Sequence, residues 1–127
     1  MNILLDTHAA LWFFENDDRL SKSALDAIYN LENMIYVSMA SLWEIAVKIS
    51  IGKLKFDGGI DGFIEAIHKN EFCLLEISPE HIKMIMDLPL IHRDPFDRML
   101  IAQAAVEDMA IMTLDANIMK YDVRSIW

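Results

Sequence analysis

The chain has 127 residues, of which 54% are hydrophobic, and a formal net charge of −9 at pH 7. This length predicts a single domain over residues 1–127, and neither an apolar run of the roughly 20 residues that a membrane span needs nor a signal peptide is found. The excess of acid argues against a broad surface for nucleic-acid phosphates, and the single cysteine, Cys73, excludes an intramolecular disulfide and favours the cytoplasm.

Apolar runs that predict strands alternate with apolar stripes at helical spacing. The elements predicted in the first half are a strand at Asn2–Leu5, a helix at 8–15, a helix capped by Ser21 and reaching Leu31, a strand at 34–37 and a helix begun by Ser38 or Ser41 and ending near Ser50. Those predicted in the second half are a loop at 54–62, a helix at 63–70, a strand at 72–77, helices at 79–88 and 95–108, a strand at 110–114 and a short strand at 123–127. This alternation predicts a three-layer α/β/α sandwich with a central, mainly parallel sheet of four to five strands.

Two acids follow predicted strands. Asp6 comes directly after the first strand and Asp115 after the strand at 110–114. In a parallel sheet both would lie at the carboxyl edge, where open α/β sheets bind ligands. Each also fits an N-cap at a strand-to-helix turn, so the two interpretations stay open.

A third acid, Glu44, lies with Ser41 and Lys48 on a narrow polar strip of an otherwise apolar helix. An exposed Glu-to-Lys pair four residues apart would stabilise the helix by only about 0.2–0.5 kcal/mol. Because apolar residues border the strip closely on both sides, we favour a strip that faces a wet cleft over one that faces open solvent.

The segment Asp94-Pro95-Phe96-Asp97 opens a late helix. Asp94 is well placed as its N-cap, with proline at the first helical position. Asp97 then falls in the first turn, where a carboxylate favours the helix dipole or closes a capping box. It also shares a helical face with Ile101 and Ala104, so it is predicted to point along the buried side, where it would need a partner such as a metal ion.

The kind of metal follows from the donors. The four histidines have no ligand-like spacing and no cysteine cluster accompanies them, which disfavours zinc. Carboxylate oxygens suit Mg²⁺ or Mn²⁺, hard ions that keep several waters and bridge phosphates. Acids gathered around such ions would account for part of the negative charge.

Together these residues resemble the acidic set of the PIN domain, and the resemblance is closest to the VapC-type toxin nucleases of toxin–antitoxin pairs. It covers the whole chain, and each segment is weak alone but specific in this order and spacing. The segments that carry it are Leu4–Trp12, Ser41–Lys48, Gly52-Lys53-Leu54, His92–Ala104 and Thr113-Leu114-Asp115.

The resemblance implies a parallel sheet flanked by helices, Mg²⁺- or Mn²⁺-dependent cleavage of RNA, a homodimer and an antitoxin partner that blocks the site. Position by position, the acidic ligands it implies are Asp6, Glu44, Asp97 (favoured over Asp94) and Asp115. Groups similar to those that orient such carboxylates are Thr7, Ser41 and Thr113. Candidates for positioning the RNA are Lys48, His92, Arg93 and Arg98, with ordinary surface charge as the alternative for each.

Two other functions are alternatives to the RNA-cleaving nuclease. A phosphatase of the haloacid-dehalogenase kind also has Asp after its first strand, but it needs a second acid two residues later, where this chain has His8. A PIN-like module retained only to bind a partner would be expected to lack an acid, whereas this chain has all four. The apolar helix with Trp12, Phe13 and Phe14 is either core or a contact with a partner, and the high apolar content favours a dimer.

Overall fold

The computed structural model of the protein describes all residues, Met1–Trp127. The strands are β1 (Asn2–Leu5), β2 (Met34–Ser38), β3 (Cys73–Leu75), β4 (Ala110–Met112) and β5 (Ser125–Ile126). The helices are α1 (Thr7–Phe14), α2 (Lys22–Tyr29), α3 (Met39–Ser50), α4 (Gly59–Lys69), α5 (Pro79–Asp87) and α6 (Pro95–Glu107), with a 3₁₀ turn at Ile118–Lys120. None of the helices combines the length and the apolar character needed to cross a membrane.

The strands form one sheet in the order β3-β2-β1-β4-β5, and every pair is parallel. The chain therefore runs outward from β1 to β2 and β3 on one side, and from β4 to β5 on the other. The order reverses between β1 and β4, and the carboxyl ends of strands at such a switch point border the crevice in which open α/β sheets bind ligands.

Residues of β1 alternate between two separate cores. Ile3 and Leu5 belong to a cluster covered by α1, α2 and α4, whereas Leu4 belongs to a second cluster covered mainly by α6. A strand buried on both faces has no reason to carry polar residues, which explains the uninterrupted apolar run at the start of the sequence. The predicted three-layer α/β/α fold with a central parallel sheet is confirmed.

The aromatic end of α1 is part of the first core. Trp12, Phe13 and Phe14 are partly buried and pack against the first cluster. The prediction that α2 reaches Leu31 is wrong, because Leu31 is fully exposed and the helix ends at Tyr29. A polar turn ends it there.

The loop predicted before α4 is too long. This helix begins at Gly59, and a Cβ at Gly62 would lie 2.1 Å from the carbonyl oxygen of Asp57. Gly58, the N-cap, has a φ of +78°. The glycines that predict a loop are thus required by the tight first turn of a helix.

Candidate active site

Asp6 lies at the switch point of the sheet. Its backbone N–H donates to the Met112 carbonyl of β4 (3.1 Å), and its Oδ1 accepts from the Ala9 N–H (2.7 Å) as the N-cap of α1. Burial raises the pKa of the Asp6 carboxyl, while hydrogen bonds from Thr113 and from the Ala9 N–H oppose this rise. The N-cap interpretation is therefore right, and the cap holds this carboxylate in the crevice.

Glu44 points inward from α3 and is 4% exposed. Its Oε1 accepts from the Thr7 hydroxyl (2.7 Å), which also lies 2.9 Å from Ser41 Oγ. Its Oε2 accepts from Lys48 Nζ (2.6 Å). The Glu-to-Lys pair thus exists, but only the lysine end reaches solvent. Ser38, rather than Ser41, caps α3.

His92 joins the other two acids. Its Nε2 lies 3.0 Å from Asp97 Oδ2 and 2.9 Å from Asp115 Oδ2. Its Nδ1 accepts from the Asp94 N–H (3.2 Å), so the ring proton is on Nε2, between the two carboxylates. The ligand atoms of these three side chains all lie within 4.8 Å of one another, but an Nε2 that carries the proton cannot bind a metal ion, so the two carboxylates are the groups here that could hold one.

Burial and the neighbouring acids both act on Asp97. Burial, followed by the charges of Asp94 and Glu44, raises the pKa of Asp97 to about 7, and the charge of Asp6 adds to the rise. The nearby His92 opposes it. Carboxylates from α3, α6 and the end of β1 are therefore close enough to repel one another, which is the condition that a divalent cation relieves.

Asp115 behaves differently. Burial alone would raise its pKa, but hydrogen bonds from His92 and from the Asn117 N–H outweigh burial, so that the pKa of the Asp115 carboxyl lies below its ordinary value. The strand predicted to run to Leu114 ends at Met112, because a local turn follows in which the Asp115 N–H donates to Thr113 Oγ1 (3.0 Å). Thr113 thus contacts both Asp6 and the Asp115 turn.

A tyrosine that the sequence did not single out holds the loop that carries His92. The Tyr121 hydroxyl donates to the Pro89 carbonyl (2.7 Å) and accepts from the Ile91 and His92 N–H groups (3.0 and 2.8 Å). Arg98 donates to the carbonyls of Ile85, Pro89 and His92 and to this hydroxyl. The Arg98 guanidinium therefore positions the loop, and its contact with substrate stays a prediction.

The remaining candidates divide by exposure. Asp94 caps α6, accepting from the Phe96 and Asp97 N–H groups (2.8 and 3.2 Å), as predicted. Arg93 is exposed beside the cluster, and Lys48 is already paired with Glu44. The ligand atoms of Asp97 and Asp115 lie close together, whereas Asp6 and Glu44 are outside that group and act on Asp97 through their charges. We call Asp6, Glu44, Asp97 and Asp115 the acidic cluster, and oxygen donors of this kind fit a hard divalent cation.

The family model of the PIN domain matches residues 3–123. VapBC2 from Rickettsia felis, solved with a DNA fragment from its promoter, superimposes with a TM-score of 0.76 at 15% identity, covering 99% of this chain and 98% of that one. A comparison with curated proteins found no match.

Two further solved structures have the same fold. VapBC-1 from nontypeable Haemophilus influenzae has a TM-score of 0.72 at 13% identity, covering 99% of this chain and 97% of that one. FitAcB from Neisseria gonorrhoeae has a TM-score of 0.72 at 17% identity, covering 98% and 96%. At such identities the likeness to the solved structures establishes the fold alone. The family model matches most of the sequence. The chain therefore belongs to the PIN domain family, whose members are generally nucleases that use divalent metals.

Proposed function

We propose that this protein is an endoribonuclease that depends on Mg²⁺ or Mn²⁺ and acts as the toxin of a toxin–antitoxin pair. The observation that carries the proposal is the convergence of the acidic cluster at the β1–β4 switch point, where the pKa of Asp97 is raised to about 7 by burial and by its acidic neighbours. A structural set of caps and ion pairs would not need a carboxylate such as Asp97, where burial and the charges of Asp94, Glu44 and Asp6 all raise the pKa.

The proposed ligands of the cation are the four carboxylates of the acidic cluster. When bound, a divalent ion lowers the pKa of a water molecule and stabilises the negative charge on the leaving oxygen. Thr7 holds Glu44, and Thr113 with the Ala9 N–H holds Asp6, so these carboxylates need little reorganisation. His92 keeps Asp97 and Asp115 at one point.

Single-stranded RNA is the substrate that suits this crevice. With a net charge of −9, the protein has little basic surface on which to grip a long duplex. An unpaired segment can be splayed so that one phosphate enters a narrow acidic site. This activity would place the protein in the cytoplasm, where its RNA targets are.

The proposed partners are an antitoxin and a second copy of the chain. The solved structures with this fold include a toxin–antitoxin complex from Klebsiella pneumoniae (TM-score 0.65, 17% identity, 98% of this chain and 96% of that one), which supports an antitoxin partner. On α3, Met39, Trp43 and Val47 form an exposed apolar stripe at a spacing of one helical turn. An exposed stripe of this kind supports self-association.

The decisive experiment is RNA cleavage by the purified protein with Mg²⁺, Mn²⁺ or EDTA, beside its Asp6→Asn variant. We expect cleavage only with the metals, and none from Asp6→Asn even though its thermal unfolding remains cooperative. A variant that cuts as fast as the parent would refute the assignment of Asp6. Induced expression in a bacterial host should arrest growth, and Asp6→Asn should not.

Two alternatives are separated by parallel measurements. Hydrolysis of a chromogenic phosphate ester in preference to RNA would favour a phosphatase. If calorimetry detects no binding of Mn²⁺ and no nucleic acid is cut, the protein is a binding module without catalysis. Light scattering after gel filtration, with Trp43→Glu as the disrupting variant, tests the homodimer.

A further inference from the structure

A second cavity lies next to the acidic cluster and has the opposite chemical character. It has a volume of about 460 Å³, and its walls include three of the chain's eleven basic residues, Arg19, Lys48 and Lys53, together with the aromatic ring of Trp12. We call it the basic cavity. In a chain with 20 acids, Glu15 is the single acidic residue that lines it.

The turn after α3 brings the two lysines together. Gly52 has a φ of +75°, its N–H donates to the Ile49 carbonyl (3.1 Å), and the Lys53 N–H donates to the Lys48 carbonyl (2.9 Å). This pair of bonds defines a Schellman motif, in which the residues corresponding to Lys48 and Lys53 are frequently apolar and in contact. Here both are cations that line one cavity, an arrangement that an anion would stabilise.

The sequence around this turn is basic. Residues 45–56 contain three lysines and no acid, in a chain whose net charge is −9. Lys53 forms no ion pair, unlike Lys48 with Glu44 and Arg19 with Asp17. The segment Gly52-Lys53-Leu54, which carries part of the family resemblance, has no role in the acidic cluster, and the structure places Lys53 and Leu54 in the wall of the basic cavity.

The basic cavity is continuous with the acidic cluster. Thr7 and Lys48 line it, and both contact Glu44, at 2.7 and 2.6 Å. His8 and Trp12 line it as well, and the same two side chains line a smaller cavity of about 220 Å³ that reaches Asp6 and Asp115. A strand lying over His8 and Trp12 would therefore pass from the carboxylates to the lysines.

The aromatic wall of the basic cavity is contacted by three neighbouring side chains. The Trp12 ring lies 5.6 Å from the His8 ring and 5.7 Å from the Trp127 ring, and the Arg19 guanidinium lies over it at 4.8 Å. Proteins bind single-stranded nucleic acid with an aromatic ring beside cations, because bases stack on the ring while the cations contact the phosphates.

We propose that the basic cavity binds the nucleotide next to the scissile phosphodiester of single-stranded RNA, with its phosphate at Lys48 and Lys53 and its base against His8 and Trp12. This inference rests on the proposed function, because it assigns part of the same substrate. It makes Lys53 a substrate-binding residue, outside the acidic cluster and exposed.

The test measures RNA binding without cleavage, in the Asp6→Asn background, by fluorescence anisotropy of a labelled mixed-sequence RNA of about twelve nucleotides over a series of salt concentrations. Lys53→Ala should weaken binding about fivefold and make the slope of log affinity against log salt shallower by about 0.7, the change expected for one lost phosphate contact on a single strand. Lys53→Arg should restore most of both. Lys83→Ala is the matched control, because Lys83 is an exposed lysine on α5, with its side chain 74% exposed, far from any proposed role.

The same substitutions in the active protein add a kinetic readout. Lys53→Ala should raise KM for RNA several-fold and leave kcat nearly unchanged, because Lys53 contacts none of the four carboxylates. If Lys53→Ala and Lys83→Ala bind RNA with equal affinity and equal slope, or if the parent binds no single-stranded RNA, the inference is overturned. If a hexaglutamate peptide binds in a way that depends on Lys53 while the binding of RNA does not depend on Lys53, the cavity binds acidic peptide and the assignment to nucleic acid is wrong.

These outcomes are distinct from failure of the proposed function. A parent protein that binds RNA through Lys53 but cuts none with any divalent metal would refute the nuclease and support the cavity. A parent protein that cuts RNA, but whose KM is not changed by Lys53→Ala, would support the nuclease and refute the role of the cavity. Thermal unfolding of each variant checks that the turn after α3 is intact.

Discussion

The two halves of the acidic cluster are stabilised in different ways. Asp6 and Glu44, the inner pair, are 5% and 4% exposed, and both accept hydrogen bonds from groups that the fold holds in place. Asp97 and Asp115, the outer pair, are more accessible and meet at one imidazole nitrogen, that of His92. The inner pair is satisfied by neighbouring groups of the fold, whereas the two carboxylates of the outer pair are held together by one side chain from a loop, His92.

Substitutions in the inner pair and in the outer pair should therefore affect the stability of the protein differently. Removing a donor to the inner pair should cost stability, because a buried carboxylate oxygen is left without a partner. Removing the charge of Asp97 should stabilise the metal-free protein, since the pKa of Asp97 is already raised to about 7, whereas the pKa of Asp115 is lowered and its charge is stabilising. Active sites commonly store such unfavourable charge, and a bound cation is the natural compensation.

The largest expected effect is the loss of activity in Asp97→Asn. Substitutions of groups that merely orient metal ligands reduce metal affinity or activity by about 10–100-fold, so loss of a proposed ligand should reduce cleavage by more than about 100-fold. The measurement is the initial rate of RNA cleavage under saturating Mn²⁺, with Mn²⁺ affinity determined by calorimetry. A variant with an unchanged Mn²⁺ affinity would show that Asp97 does not hold the ion.

The next effect concerns pH and the same side chain. The unfolded chain releases the Asp97 proton near its ordinary pKa of 3.8, whereas the folded protein retains it up to about pH 7. Between these values the folded state binds more protons, so the metal-free protein should lose stability, by up to a few kcal/mol, as the pH rises from about 4 to 7. Below pH 4 this loss is absent, and above pH 7 it is complete.

Urea unfolding at several pH values tests this contribution as a difference between two curves. Each curve gives the free energy of unfolding against pH. The difference between the wild-type and Asp97→Asn curves reports mainly the contribution of Asp97, because the opposite contribution of Asp115 is present in both proteins. Saturating Mg²⁺ should remove the wild-type loss and should stabilise Asp97→Asn much less. Curves that stay parallel from pH 4 to 8 would contradict the raised pKa of Asp97, which burial and the neighbouring acids cause.

What could be predicted from the sequence is what depends on local pattern. The buried β1, the inward strip with Glu44 and the Asp94 cap each follow from residue spacing along one element, and all three occur in the structure. The cap at Asp6 was also foreseeable, because strand-to-helix turns favour aspartate.

What could not be predicted depends on tertiary contacts between loops. His92 meets Asp115 from 23 positions away along the chain, and nothing in the local spacing indicates that contact. The Tyr121 hydroxyl binds a loop about 30 residues away, and nothing in the residues next to Tyr121 indicates that contact. Charge alone could not reveal that Arg98 faces carbonyl groups of its own protein. The metal-binding role of the four acids remains a proposal.

A smaller effect, on stability alone, is expected at the inner pair. In Thr7→Val the size of the side chain is conserved, but Glu44 Oε1 loses its 2.7 Å donor in a buried position. An unsatisfied buried acceptor costs about 1–3 kcal/mol, so the free energy of unfolding in urea should fall by that amount. Thr7→Ser, which keeps the hydroxyl, is the control, and an equal loss in both variants would mean that packing rather than the hydrogen bond matters at this position.

The smallest effect distinguishes a helix cap from a metal ligand at Asp94. Its Oδ1 accepts from the Phe96 and Asp97 N–H groups, and asparagine caps helices about as well as aspartate. Asp94→Asn should therefore unfold like the wild type and retain most of its cleavage activity, whereas Asp94→Ala should lose about 1 kcal/mol of stability. Because Asp94 is also one of the charges that raise the pKa of Asp97, the asparagine variant should lower that pKa and shift the pH-dependent loss of stability to lower pH. If Asp94→Asn abolishes Mn²⁺ binding while Asp97→Asn preserves it, the ligand is Asp94, and the outer pair must be redrawn around it.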